Sequence, residues 1–503
     1  MQPLQQVDTG KQDREEFVEN ISDGKLSNPD LHSGNEDYYK SYNISKIIRK
    51  MDLRILPVMS ALYLMSFLDR TNIGNARIAG MVTDLKLRPA QYNWAVTSFF
   101  FTYFIIEAPS NLMLKKFGAK IWLPFIMVLW AACCLGLGFV TNYTTLLITR
   151  LALGLAEGGL FPGVAYYLTT WYPRSMIAFR IAIFFSAATI AGGFGGLLAY
   201  GFQNMNGLGG KTGWEWIFIM EGLITFAVAI LGYFLIPESP SKVKWLNQEE
   251  RDVMSWRIAH DGDLRVPMDD SFRWAYVGDA LTDWKLWLNL ITYWGAAVPL
   301  YSVALTLPSI VRGMGYTSID SAQLHTVPVY IVGCVFVVLA AWVSDRWKRS
   351  PVVIIMLCIA VLGWGLALGL PARNNAARYT SMFFACIGSY GSFVPQLVTL
   401  TSNVGGKTKR ATAIGIQVGV GGLAGGVPPW LFRASEAPNY PFGCKISMVF
   451  AIIGIVSTSI NWFLLTIANK RKDEMISSGR AAELSDKELS EMGDRSPYFR
   501  YSY

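Results

Sequence analysis

Six charged residues stand inside otherwise apolar stretches of the chain: Asp69, Arg70, Glu107, Arg150, Glu157 and Glu221. A charge at the centre of a bilayer costs roughly 2.5–3.5 kcal/mol on insertion scales, so each one needs a partner or a task. Asp69 and Arg70 are adjacent in SFLDRTNIGNARIAGM, and Arg150 and Glu157 share one helix face in RLALGLAEGGLFPG. Two acids and two guanidinium groups make a set of zero formal charge. While both acids are ionised they occupy the arginines. A proton on Asp69 or Glu157 would free an arginine to take a carboxylate through two parallel hydrogen bonds, and proton and anion would then favour each other's binding. Glu107, in IIEAPSNL, is expected to pair with a basic loop residue or cap a helix, and Glu221 fits either a structural or a functional role. Tyr103, Gln396, Thr401 and Asn403 are polar positions suited to a cavity wall, and His325 reads as a packing residue.

These residues require particular elements to hold them. The apolar run Ile55–Leu68 has 14 residues, a helix of only about 21 Å against a hydrocarbon core of about 30 Å. The helix must therefore continue through 69–76, which carries Asp69 and Arg70 into the membrane. Twelve such blocks are predicted, at roughly 53–77, 91–113, 121–141, 144–170, 180–201, 214–236, 284–310, 321–344, 351–371, 379–402, 411–432 and 446–469. A polar bridge separates two sets of six, and within it LNQEERDVMSWRIAHD suits an amphipathic surface helix. The halves rhyme: SNLMLKKFGAKIW follows the second block and AAWVSDRWKRSPV the eighth. Parallel repeats of this kind are common in secondary transporters, with the substrate site between the halves.

The fold class expected is an all-α integral membrane protein of 12 transmembrane helices in two six-helix bundles. The divisions are an N-terminal tail 1–50, a first bundle 51–237, a central loop 238–283, a second bundle 284–470 and a C-terminal tail 471–503. Of 503 residues, 52% are hydrophobic and 16% charged, which excludes an ordinary soluble enzyme, a disordered chain and a disulfide framework. The six cysteines lack metal-ligand spacing and read as small apolar residues. Lys and Arg near the helix ends place both termini and the central loop in the cytoplasm. They also explain the net charge of +8 without nucleic acid. No cleavable signal peptide is expected, and no nucleotide-binding loop of the ATP-driven pump type is present.

The segments YLMSFLDRTNIGNARIAGM, EAPSNLMLKKFGAKIWLP, RLALGLAEGGLFPGVAYYLTTWYPRSMIAFRIAIFFSAA, GWEWIFIMEGLIT and MGDRSPYFRY together resemble the major facilitator superfamily. Within it the chain is similar to the anion:cation symporter family, in particular the fungal allantoate permease-like branch of nicotinate, pantothenate, biotin and allantoate carriers. The resemblance implies alternating access and a small anionic substrate. It makes Arg70 the carboxylate anchor, Asp69 a proton-linked acid, Glu157 a second protonatable group with Arg150 its partner, and Tyr103 a substrate-facing position. The superfamily's loop motif is intact only in the second half, as Asp345 and Arg346 with Lys348 and Arg349; Asn111 and Lys115 replace its Gly and Asp in the first. The expectation is a proton-coupled importer of small carboxylates such as nicotinate, not an enzyme, driven by the proton gradient without cofactor or metal. It is expected to act as a monomer in a fungal plasma membrane. The alternatives are an exporter of a fungal metabolite and a nutrient-sensing receptor with little flux.

Overall fold

The computed structural model describes residues 42–240, 242–259, 273–314, 319–371 and 374–503, and among them every regular element is helical. Most of the expected N-terminal tail, residues 1–41, lies outside the described residues. The longer helices are α1 (Ser45–Ile78), α2 (Pro89–Phe117), α3 (Ala119–Leu137), α4 (Tyr143–Glu157), α5 (Leu160–Trp171), α6 (Arg174–Gln203) and α7 (Gly213–Leu235). The central segment carries α8 (Gln248–Ala259) and α9 (Trp274–Thr282). Then follow α10 (Trp284–Gly313), α11 (Thr326–Arg346), α12 (Arg349–Gly369), α13 (Asn375–Asn403), α14 (Lys407–Gly422) and α15 (Pro441–Ser477).

Eleven of the twelve predicted blocks coincide with stretches long and apolar enough to cross a membrane. The twelfth, block 91–113, is α2, which has 29 residues and ample length but carries Glu107, Lys115 and Lys116. The fourth block is broken: α4 stops at Glu157 and α5 restarts at Leu160, with Gly158 and Gly159 between them. At Gly158 an added Cβ would lie 2.5 Å from the Tyr103 carbonyl oxygen, so α4 rests directly on the α2 backbone. Only a residue without a side chain allows that approach.

Burial separates inner helices from outer ones. Every residue of α1 from Ser66 to Ala76 is buried, polar ones included. Within the apolar windows of α10 and α13, 89% of residues are buried, against 33% for α15, so these two helices are central and α15 is peripheral. Phe139, Ile148, Phe234, Ile331 and Phe463 are among the large apolar side chains left exposed on the outer surface, as a lipid-facing belt requires.

The two helical series meet through α1 on α10, α6 on α11, and α2 on α14 with the turn that follows it. At the end away from the described termini, Thr97 Oγ1 donates to Gly426 O at 2.9 Å, Trp430 Nε1 donates to Thr97 Oγ1 at 3.0 Å, and Arg312 Nη1 donates to Ile78 O at 3.2 Å. At the opposite end, Arg180 forks onto Asp52 at 2.7 and 2.8 Å, and Lys50 meets Glu250 of α8. In α8, Val253 and Met254 are fully buried, so the amphipathic segment of the central loop packs where its pattern directs.

Residues after α15 fold back as a strap beneath α10–α15. Asp494 receives Lys285 of α10 and, at 2.9 Å, Lys409 of α14. Lys472 donates to Phe499 O at 2.8 Å, and Asn469 and Tyr501 exchange two hydrogen bonds of 2.9 and 3.0 Å. Asn403, at the end of α13, does the same with Ser502 at 2.7 and 2.8 Å.

Candidate functional site

Asp69 and Arg70 are neighbours in sequence, but consecutive helical residues point about 100° apart, and the two serve different surroundings. Arg70 turns toward α4 and α10. Its Nη2 meets Glu157 Oε1 at 2.5 Å, and its Nη1 donates to Tyr301 Oη at 3.0 Å. Ser66 Oγ donates to the same Glu157 oxygen at 2.5 Å. The guanidinium carbon lies 4.8 Å from the Tyr103 ring centre and 5.2 Å from that of Phe99. Tyr301 is held edge-on to Phe100 at 5.3 Å and stacked on Phe67 at 6.5 Å. Arg70 Nε and Glu157 Oε2 are buried and have no hydrogen-bond partner among the described residues. This cluster therefore has one donor and one acceptor unspent, between helices of both series.

Asp69 faces α3 and α7 instead. Its Oδ2 accepts from Trp130 Nε1 and Thr225 Oγ1 at 3.0 Å each, and its Oδ1 accepts from Cys134 Sγ at 3.3 Å. All three donors are neutral. One turn before Thr225, Glu221 is buried, with neither carboxylate oxygen hydrogen-bonded. Cys134, read from sequence as a small apolar residue, is thus a hydrogen-bond donor to an acid.

The expected set of four charges does not form one cluster. Arg150 is not the partner of Glu157: its Nε donates to Ala95 O at 3.4 Å, its guanidinium lies 5.5 Å from the Phe99 ring, and its Nη1 has no partner. Two turns along α4 is about 10 Å of rise, and the side chain turns to α2 rather than running along its own helix. Glu157 meets Arg70 across the helix interface, the partner on another helix that its position leads one to expect.

The remaining expected positions divide. Tyr103 covers Arg70 as described. Gln396 is buried on α13, with Nε2 donating to Asn289 O at 2.9 Å and Oε1 unpartnered. Asn403 is not in a cavity wall; both ends of its amide are spent on the strap. Glu107 neither caps a helix nor pairs with a basic residue among those described, and both its oxygens are unpartnered. In the loop motif, Asp345 lies 4.0 Å from Arg349, Arg346 sits over the Trp342 ring at 4.1 Å, and Lys348 over the Tyr503 ring at 4.8 Å. Arg349 Nη1 also donates to Ser402 and Ser502 hydroxyls at 2.8 Å. His325 packs against Tyr379, as expected.

Tyr301, like Ser66, Trp130, Cys134 and Thr225, is a participant that sequence reasoning missed. It lies in an apolar run where a tyrosine gives the same signal as any packing aromatic, and only its hydroxyl on Arg70 distinguishes it.

A family profile described as Major Facilitator Superfamily matches residues 59–429. The chain belongs to the major facilitator superfamily. This facilitator is 34% identical to the high-affinity nicotinic acid transporter of Saccharomyces cerevisiae, over 91% of its own length and 85% of that protein. It is also 34% identical to the MFS-type transporter cnsO of Penicillium expansum, over 99% and 98% of the two chains. Among solved structures, the proton:xylose symporter XylE bound to 6-bromo-6-deoxy-D-glucose superimposes with a TM-score of 0.64 at 19% identity, over 82% of this facilitator and 96% of that chain. These relatives and neighbours are named as transporters, and the facilitator is a multi-pass membrane protein.

Proposed function

We propose that this facilitator is a proton-coupled symporter of a small organic anion, within the anion:cation symporter family, that takes up a vitamin-like or nitrogen-source carboxylate with nicotinate as the first candidate. The observation that carries the reading is the buried Arg70 between Glu157 and Tyr301. A substrate carboxylate and Glu157 compete for one guanidinium. Two carboxylates on one buried cation leave a net charge of −1, which a low-dielectric site disfavours. A proton on Glu157 removes that charge and releases Nη2, so substrate and proton enter together. Because Arg70 belongs to α1 and Tyr301 to α10, filling the site changes a contact between the two helical series, which supports coupling of binding to alternating access. Asp69 and Glu221, without a paired cation, make a second place for a proton in the wall behind.

The name of the yeast relative supports nicotinate as the first compound to test. The basic residues near the helix ends support cytoplasmic termini in a fungal plasma membrane, and action as a monomer is part of the same proposal. Proteoliposomes loaded at neutral pH and diluted into acidic buffer should accumulate nicotinate. Glu157→Gln should remove this dependence on the proton gradient while preserving exchange of internal for external substrate. Accumulation that requires an outward gradient would point to antiport, and binding without flux would point to a sensor.

A further inference from the structure

Glu107 lies on α2 one helical turn beyond Tyr103, on the side away from the tied end of the molecule. Its side chain is buried, at 3% exposure, yet neither oxygen has a hydrogen-bond partner. A buried carboxyl without donor or proton is costly, and nothing among the described residues meets that demand. The element opposite is α14, where an added Cβ at Gly419 would lie 3.1 Å from Glu107 Oε2 and 3.0 Å from the Phe104 ring. The facing helix therefore presents bare backbone to this acid, so the carboxyl sits between the two helical series.

Its relation to Arg70 follows from α2. Tyr103 covers the guanidinium at 4.8 Å, and Glu107 follows after a rise of about 6 Å along the same face. Arg70, with an unspent donor, and Glu107, with two unspent oxygens, thus lie on either side of Tyr103.

Resting on the small-carboxylate reading above, we propose that Glu107 is the second polar anchor of the substrate site, and that the substrate is a flat carboxylate carrying a nitrogen at its far end. Arg70 takes the carboxylate, and Glu107 binds the nitrogen, accepting from an N–H or, when protonated, donating to a ring nitrogen. Glu107 so placed decides specificity, because an analogue lacking the nitrogen leaves its carboxyl buried and unpaired.

The test uses three probes of similar shape, benzoate, nicotinate and 3-aminobenzoate, binding to the purified full-length protein and read by thermal shift. Nicotinate and 3-aminobenzoate should bind at least about tenfold tighter than benzoate. Glu107→Leu should erase that difference, weakening nicotinate and 3-aminobenzoate while relieving benzoate of the unpaired carboxyl. A second measurement needs no variant. A hydrophobic carbodiimide adds to protonated buried carboxyls, and nicotinate, which has no amine to couple, should protect Glu107 from it, as read by peptide mass, more than benzoate does. Equal binding of all three by the wild type, a preference retained in Glu107→Leu, or equal protection by both acids would each overturn the assignment. Binding of none of the three would remove the small-carboxylate reading itself, and this inference with it.

Discussion

Arg70 has two nitrogens engaged, one by an acid and one by a phenol, and the difference between those partners sets the expected effect of replacing either side. A lysine at 70 keeps the charge but loses the planar fork, so it cannot hold Glu157 and Tyr301 together or present two parallel donors to a carboxylate. Arg70→Lys should reduce saturable uptake by at least about tenfold, chiefly through weaker substrate binding. Tyr301→Phe leaves the ring against Phe67 and Phe100 and removes one hydrogen bond from the guanidinium to an uncharged oxygen. It should weaken binding only about threefold to tenfold. Concentration-dependent uptake in proteoliposomes checks both, and equal losses in the two variants would contradict the separate roles assigned here.

At the scale of the helix, the site depends on how closely α4 can approach α2. An added Cβ at Gly158 meets backbone, 2.5 Å from Tyr103 O and 3.1 Å from Tyr103 Cα, which cannot swing aside as a side chain could. Gly158→Ala should push α4 outward, at a cost of about 1–3 kcal/mol. Because Tyr103 is the ring over Arg70, the same shift should also raise the substrate concentration needed for half-maximal uptake. Thermal unfolding in detergent and uptake kinetics read the two effects, and an unchanged melting temperature would count against the close packing. The same helices show what the sequence makes legible. Charges in apolar blocks are rare enough that each one points to itself, so Arg70 and Glu157 are readable from composition alone. Which helix a side chain turns to is not, because helical spacing fixes the face and leaves the neighbour across it undefined. Arg150, which the family resemblance pairs with Glu157, turns instead to Ala95 on α2. Hence also Tyr301 and Cys134, whose roles come entirely from the side chains opposite, give no sign in sequence.

Across the whole molecule, the strap concentrates charge at one end of α10–α15. Burial alone would raise the Asp494 carboxyl. The Lys285 and Lys409 ammonium groups outweigh it and hold the group down, at about 2. A carboxyl whose folded value lies below its unfolded one contributes stability that is present above the unfolded value, near 3.8, and is lost as pH falls toward about 2. A depression of this size corresponds to about 2 kcal/mol. Asp494→Asn should therefore lower the melting temperature at neutral pH, and the difference from wild type should shrink as pH drops below about 4. A gap independent of pH would show that the Asp494 charge is not what holds the strap.

The strap also has a consequence for assembly. Residues 494–502 follow α10 to α15 in the chain, and their partners are Lys285 on α10, Asn403 on α13, Lys409 on α14 and Asn469 on α15. Those partners reach one side of the membrane together only when each intervening helix has been threaded in the right direction. The strap therefore cannot close on a partly inserted chain, and its closure marks the point at which the second helical series becomes a single cooperative unit.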